Sequence, residues 1–361
     1  MGYEHPDEDR DRAIKATRRA FLHGAIGAGA LAGLAAGATP ALAATAAEGD
    51  FPKHKKWKFV FVNHVTTNPF FVPTQYGIQD ACALLGCTYQ WTGSQTSIAS
   101  EMVNAMNTAI AARADAIAVC LVDKTAFNTP TDRAMEAGIP VFAYNADTPG
   151  NKRLAYIGQD LYQAGVALGE RIVSLVDEGT VVGFIATPGQ LNIQPRLDGA
   201  ADAIKKSGKK ITLEQISTGP TVNEEVSRVN AYYTGHKDIK GMFAVDAGST
   251  MAVAETMAKY DLQKKGIRAG GFDLLPKTLD EIHAGALDFT IDQQPYLQGF
   301  YTVMEMFMWK MSGGLSGPAE INTGLKFVTK GNVTPYLDTK SRFEGNANAE
   351  KVLPHTGPIS G

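Results

Sequence analysis

From residue 58 onward, short apolar runs alternate with longer stretches of helical spacing, and this alternation constrains the fold more than any other feature of the chain. The runs at 59–63, 88–91, 116–121 and 141–144 each suit one buried strand, and a second series follows at 181–186, 211–217, 242–245, 267–272 and 289–291. Between them lie segments with helical patterning, such as 98–112, 124–137, 163–176 and 222–234. Within 98–112, Met102, Val103, Met106, Ala109 and Ile110 recur at three- and four-residue steps and form one apolar stripe. Repeated strand–helix units imply α/β architecture with parallel sheets covered by helices on both faces. Roughly ten such units exceed one open sheet of ordinary width, and the turn-rich stretch 147–153 (DTPGNKR) separates two comparable series. Two doubly wound, Rossmann-like lobes with a cleft between them is the simplest arrangement. An eightfold βα barrel is built from the same unit and stays open as an alternative.

The first fifty residues do not share this pattern. Thr17-Arg18-Arg19-Ala20-Phe21-Leu22 precedes a Gly/Ala-rich stretch at 24–38, and 40–43 (PALA) reads as a small-x-small cleavage site. This predicts a signal peptide of the twin-arginine type over 1–43, cleaved near Ala43, with a linker at 44–57. The apolar stretch is too short and too glycine-rich for a membrane span, so no stable insertion is expected. Gly27-Ala28-Gly29 imitates a dinucleotide fingerprint, but no strand precedes it and the third glycine is misplaced.

Several function classes fall away on composition. Lys and Arg (34) are outnumbered by Asp and Glu (37) and do not cluster, so no nucleic-acid partner is expected. The cysteines, Cys82, Cys87 and Cys120, number three and cannot build a disulfide framework; their positions suit packing. The chain lacks a G-x-S-x-G elbow, a P-loop, H-E-x-x-H, C-x-x-C and an Asp-rich calcium loop. The expectation is a non-enzyme with no cofactor and no metal. His64 is the histidine best placed for catalysis, but a lone histidine is more often structural.

In open α/β sheets ligands bind beyond the carboxyl ends of the strands. The residues there are Asn68-Pro69-Phe70-Phe71, Asn145-Ala146-Asp147, the loop through Gln190 and Gln194, then Asp246, Asp273 and Gln293. They are rich in amides, carboxylates and aromatics, which bridge hydroxyls and cover C–H faces. Ligand binding is the expected role of Asp246 and Asp273, with capping of the helices that follow as the alternative. Phe70, Phe71 and Trp91 can wall a pocket or fill a core, and Asp147 also fits turn chemistry.

Taken in order, these segments resemble the periplasmic binding proteins of the ribose- and galactose-binding type, the solute receptors of ABC importers. The resemblance covers about residues 58–333 and rests on NPFF at 68–71, ALLGC at 83–87, AGIPVF at 137–142, YIGQD at 156–160 and GGFD at 270–273. It implies lobes of 58–159 plus 294–322 and 160–293 plus 323–340, a three-crossing hinge between them, and a flexible tail at 341–361. It also implies that Asn68 meets ligand hydroxyls, that Phe70 and Phe71 meet a ring face, and that Asp273 and Gln293 line the cleft. Asn145 falls where the family carries an acid, Ala146 and Gln194 where it carries arginines, and Asp246 where it carries an asparagine; Arg196 opens the R-x-x-G segment. Losing charge at 145, 146 and 194 argues against ribose itself but not against a hydroxyl-rich ligand. The implied protein is a periplasmic, monomeric receptor that closes on a sugar, sugar alcohol or similar solute and delivers it to an ABC permease in the inner membrane. Alternatives are a receptor presenting its ligand to a membrane sensor or chemoreceptor, and a secreted α/β hydrolase.

Overall fold

A computed structural model describes residues 52–315 and 317–337. The twin-arginine segment, its cleavage site and the 341–361 tail lie outside the described residues. The apolar runs become strands β1 (Lys58–Asn63), β2 (Thr88–Gly93), β3 (Ala116–Val119), β4 (Val141–Tyr144), β6 (Glu178–Ile185), β7 (Lys210–Ser217), β8 (Gly241–Ala244), β9 (Arg268–Phe272) and β10 (Phe289–Asp292). Three further strands do not stand out as apolar runs: β5 (Tyr156–Gly158), β11 (Glu320–Asn322) and β12 (Lys326–Thr329). The helices are α1 (Val72–Leu84), α2 (Ala99–Ala111), α3 (Asn128–Glu136), α4 (Leu161–Leu175), α5 (Gln194–Ser207), α6 (Val222–Gly235), α7 (Ala247–Lys259), α8 (Pro276–Ala284), α9 (Pro295–Ser312) and α10 (Thr334–Leu337).

The strands form two six-stranded sheets, ordered β11-β5-β4-β3-β1-β2 and β12-β10-β9-β8-β6-β7. Setting aside β11 and β12, the two orders are the same winding, five strands apart in number. All pairings are parallel except that of β12 on β10. Both sheets are open, with β2 and β7 as edges, and this rules out the barrel. The edge strand β7 carries Lys210 and Glu214 in exposed positions, as an unpaired edge requires. Strands β3, β4, β8 and β10 are buried along their whole length.

The chain passes between the sheets three times: from β5 to α4 at 159–160, from β10 to α9 at 293–294, and from β11 to β12 at 323–325. Each passage is followed by an element packed on the other lobe. Helix α9 lies so close to α1 that a Cβ on Gly77 would come within 2.1 Å of the Tyr296 carbonyl oxygen. In the second lobe, α4 lies equally close to α5, where a Cβ on Gly165 would meet the Arg196 carbonyl oxygen at 2.1 Å. That contact fixes the first turn of α5.

Trp57, read as the end of a linker, is buried against Phe307 of α9, with ring centroids 5.3 Å apart. The three cysteines are free, and burial pushes the Cys82, Cys87 and Cys120 thiols up to about 12, 11 and 12. Thiols so far from ionising at neutral pH are poor nucleophiles.

Candidate ligand-binding site

A cleft with about 320 Å³ of atom-free space, part of it open to solvent, lies at the carboxyl ends of both sheets. From the first lobe come His64 and Asn68, Phe70 and Phe71 after β1, and Asn145 after β4. From the second come Asn192, Ile193 and Arg196, then Asp246 and Ala247 after β8, and Asp273 after β9, with Gln293 on a crossing. Both sheets reverse their winding order beside β1 and β6, and such switch points open a crevice where loops diverge.

Local chemistry positions each group. The Asn68 side chain accepts a hydrogen bond from the Phe70 amide at 2.9 Å and starts the single turn Pro69–Phe71. That turn sets the Phe70 and Phe71 rings edge-to-face, 4.7 Å apart, with Phe71 the more deeply buried. Asn145 and Asp273 both hold left-handed backbone, with φ of 63° and 76°. Asn and Asp tolerate that region better than other non-glycine residues, and the two stand at equivalent strand ends, after β4 and β9. Asp246 does two jobs: its carboxylate caps α7 through the Ser249 amide at 2.9 Å and also accepts from the Ala186 amide at 2.9 Å.

A buried chain of amides ties the lobes together beneath the cleft. Asn145 donates to Gln298 Oε1 at 3.2 Å, Gln298 donates to Gln293 Oε1 at 3.0 Å, and Gln293 donates to Asp273 Oδ1 at 2.6 Å. Arg196 is buried alongside; it donates to the Val245 carbonyl at 2.9 Å and to Gln159 Oε1 at 3.2 Å, and lies 4.1 Å over the Phe272 ring. Burial raises the Asp273 carboxyl to about 6, against the opposing pull of the Arg196 charge and the Gln293 hydrogen bond. Burial lowers the His64 imidazole to about 4, so it is neutral at ordinary pH. Behind Asp246, burial and the neighbouring Asp246 charge push Glu225 far above the usual carboxylate range.

Seven of the ten residues singled out in the sequence line this cleft: Asn68, Phe70, Phe71, Asn145, Asp246, Asp273 and Gln293. Three lie elsewhere. Trp91 stacks on Phe61 and donates to the Thr66 carbonyl at 3.1 Å, bracing the loop after β1 from behind. Asp147 is held by the Arg153 guanidinium, whose Nε donates to it at 2.7 Å. Gln194 opens α5 facing away from the cleft, accepting from the Gly189 amide and donating to Asp198, both at 2.8 Å. A two-residue step turns about 200° around a helix, so Arg196 faces inward where Gln194 cannot. Asn192, Ile193, Arg196 and Ala247 also line the cleft although their sequence context marks no cleft role, and so does His64, which stands out in the sequence only as a candidate for catalysis. The one available signal was the R-x-x-G segment that Arg196 opens. Among the described residues, no group of three or more His, Cys, Asp or Glu side chains could hold a metal ion.

Two similarly wound lobes with an amide- and carboxylate-lined cleft between them define a binding protein of the periplasmic receptor class. The chain matches the periplasmic binding protein domain over residues 59–309 and belongs to that family. It is 49% identical over 327 residues to the xylose/arabinose-binding protein XylF of Sulfolobus acidocaldarius, covering 86% of this chain and 80% of that one. It is 24% identical to the D-apiose import binding protein of Paraburkholderia graminis, over 65% of this chain and 75% of the relative. Among solved structures, an ABC transporter solute-binding protein from Burkholderia graminis in complex with D-arabinose superposes with a TM-score of 0.73 at 27% identity, covering 79% of this chain and 99% of that one. Among the described residues, no helix is long and apolar enough to cross a membrane.

Proposed function

We propose that this protein is an exported, monomeric receptor of an ABC importer that binds a pentose between its lobes and hands it unchanged to a permease. The observation that carries this reading is a cleft walled by both lobes, whose lining combines neutral amides and two carboxylates with the Phe70 and Phe71 rings. A pentose offers that combination of surfaces. Its hydroxyls donate to Asp246 and Asp273 and exchange hydrogen bonds with Asn68, Asn145 and Gln293, while its C–H face lies against Phe70. Charge-assisted bonds to carboxylates are the stronger kind. The naming of the 49%-identical relative for xylose and arabinose, and the D-arabinose in the structural neighbour, support a pentose over a hexose.

Calorimetric titration of the purified protein with D-xylose, L-arabinose, D-arabinose, D-apiose, D-glucose and D-galactose tests the proposal. At least one pentose is expected to bind more tightly than either hexose. Binding of hexoses alone would move the assignment to another sugar class, and a folded protein that binds none of the six would overturn it.

A further inference from the structure

We infer that His64 and Asn192 form a pair across the cleft that recognises one hydroxyl of the ligand and makes lobe closure depend on it. The inference rests on the pentose reading and adds a specificity-determining pair to it. His64 is the first residue after β1 in one lobe, and Asn192 lies in the loop between β6 and α5 of the other. The Asn192 side-chain amide nitrogen is 3.1 Å from His64 Nε2. Both residues line the cleft, both are buried, and each keeps one polar atom without a partner, His64 Nδ1 and Asn192 Oδ1.

Hydrogen-bond bookkeeping gives these two atoms a complementary character. If the Asn192 amide donates, Nε2 is the acceptor and the imidazole proton sits on Nδ1; an N–H donor and a carbonyl acceptor are then left over. If the amide is turned and the other tautomer holds, Nε2–H donates to Oδ1, leaving an Nδ1 acceptor and an NH₂ donor. Either way the pair presents one donor and one acceptor. A hydroxyl is the group that answers both, since it accepts one bond while donating another. Because burial keeps the imidazole neutral, the pair suits an uncharged ligand.

The surrounding loop links this recognition to closure. Residue 191 of the second lobe donates its backbone amide to the Val122 carbonyl of the first at 3.0 Å. Residue 190 exchanges side-chain bonds with Ser97, donating to its carbonyl at 2.8 Å and accepting from its hydroxyl at 2.5 Å. Three consecutive residues of one lobe thus bond to the other, and the third is Asn192, whose Oδ1 keeps no partner. A sugar lacking the matching hydroxyl leaves buried groups unpaired, which is the condition under which a site rejects an analogue strongly.

The test uses the pentose that the wild type binds best and its monodeoxy analogues, titrated against wild type, His64→Ala, Asn192→Ala and the double variant, with His64→Gln as a variant that keeps a donor and an acceptor. Melting curves establish that each variant folds. The expected result is at least a tenfold loss for either alanine variant, little further loss in the double variant, and partial recovery in His64→Gln. One deoxy position should cost the wild type a similar factor and cost the alanine variants almost nothing. Folded alanine variants that bind like wild type would overturn the inference, as would losses spread evenly over every deoxy position. A wild type that binds no pentose would instead remove the functional reading on which the inference rests, and the inference with it.

Discussion

Asp273 shows how a single residue carries opposing demands. Burial raises its carboxyl to about 6 while Arg196 and Gln293 pull it down, and the charges of Asp246 and Asp292 push it further up. Its folded value lies above the unfolded one of 3.8. The proton is therefore held more tightly in the folded state, and its contribution to stability is full at low pH and lost as pH rises through about 6. Ligand affinity should run the other way, because a carboxylate accepts hydroxyl hydrogen bonds without competition from its own proton. Calorimetry at pH 5 and pH 7.5 should show weaker binding at pH 5, and Asp273→Asn should flatten that difference. Loss of a hydrogen bond to a charged group is worth roughly 1.5–3 kcal/mol, so the variant should bind about ten- to a hundredfold more weakly. Unchanged affinity in a folded Asp273→Asn would remove it from the contact set. At this scale the sequence was readable wherever position after a strand decides exposure, as for Asn68, Asp246 and Asp273. It was silent where a helical step or a partner in the other lobe decides, as for Arg196 against Gln194 and for His64 with Asn192.

At the scale of elements, α6 and α7 meet through a carboxyl placed on a glycine. A Cβ on Gly248, in the first turn of α7, would stand 1.6 Å from a carboxyl oxygen of Glu225 on α6. Glycine at 248 therefore leaves room for Glu225 behind the Asp246 cap. Since burial and Asp246 hold Glu225 protonated at neutral pH, Glu225→Gln keeps both its shape and its charge state. Melting at pH 7 should place that variant within about 0.5 kcal/mol of wild type. Gly248→Ala should instead destabilise by roughly 1–3 kcal/mol, as overpacking does, and weaken ligand binding by displacing Asp246. A large loss in Glu225→Gln would show that the ionised form is the structural one. Strand β4, VFAY and buried on both faces, reads plainly as an apolar run, whereas β5 (YIG), β11 (EIN) and β12 (KFVT) mix apolar with polar or small residues and are placed by pairing with a neighbouring strand. Such strands are set by tertiary pairing, and periodicity over so few residues carries no signal.

For the molecule as a whole, export and closure are the two remaining tests. Replacing Arg18 and Arg19 with lysine should trap the precursor in the cytoplasm, and normal secretion of that variant would leave only a general signal peptide. Closure is expected from where the cleft residues sit. Asn68, Phe70, Phe71 and Asn145 belong to one lobe and Arg196, Asp246 and Asp273 to the other, while the chain between them crosses at 159–160, 293–294 and 323–325. Those crossings are bound to one another: Thr323 donates to the Gln293 carbonyl at 2.7 Å, and Gln159 donates to the Gly324 carbonyl at 3.0 Å. The hinge should therefore turn as a unit instead of letting each strand flex alone. A ligand that touches both lobes binds the closed form more tightly, and only that difference in affinity can shift the population. Small-angle scattering should show the radius of gyration falling when a tight-binding pentose is added to saturation. Gln190→Ala and Ser97→Ala, which remove interlobe bonds without touching the cleft lining, should enlarge the unliganded radius and leave the liganded one unchanged. A scattering curve indifferent to a saturating sugar would mean that the sugar is held by one lobe alone.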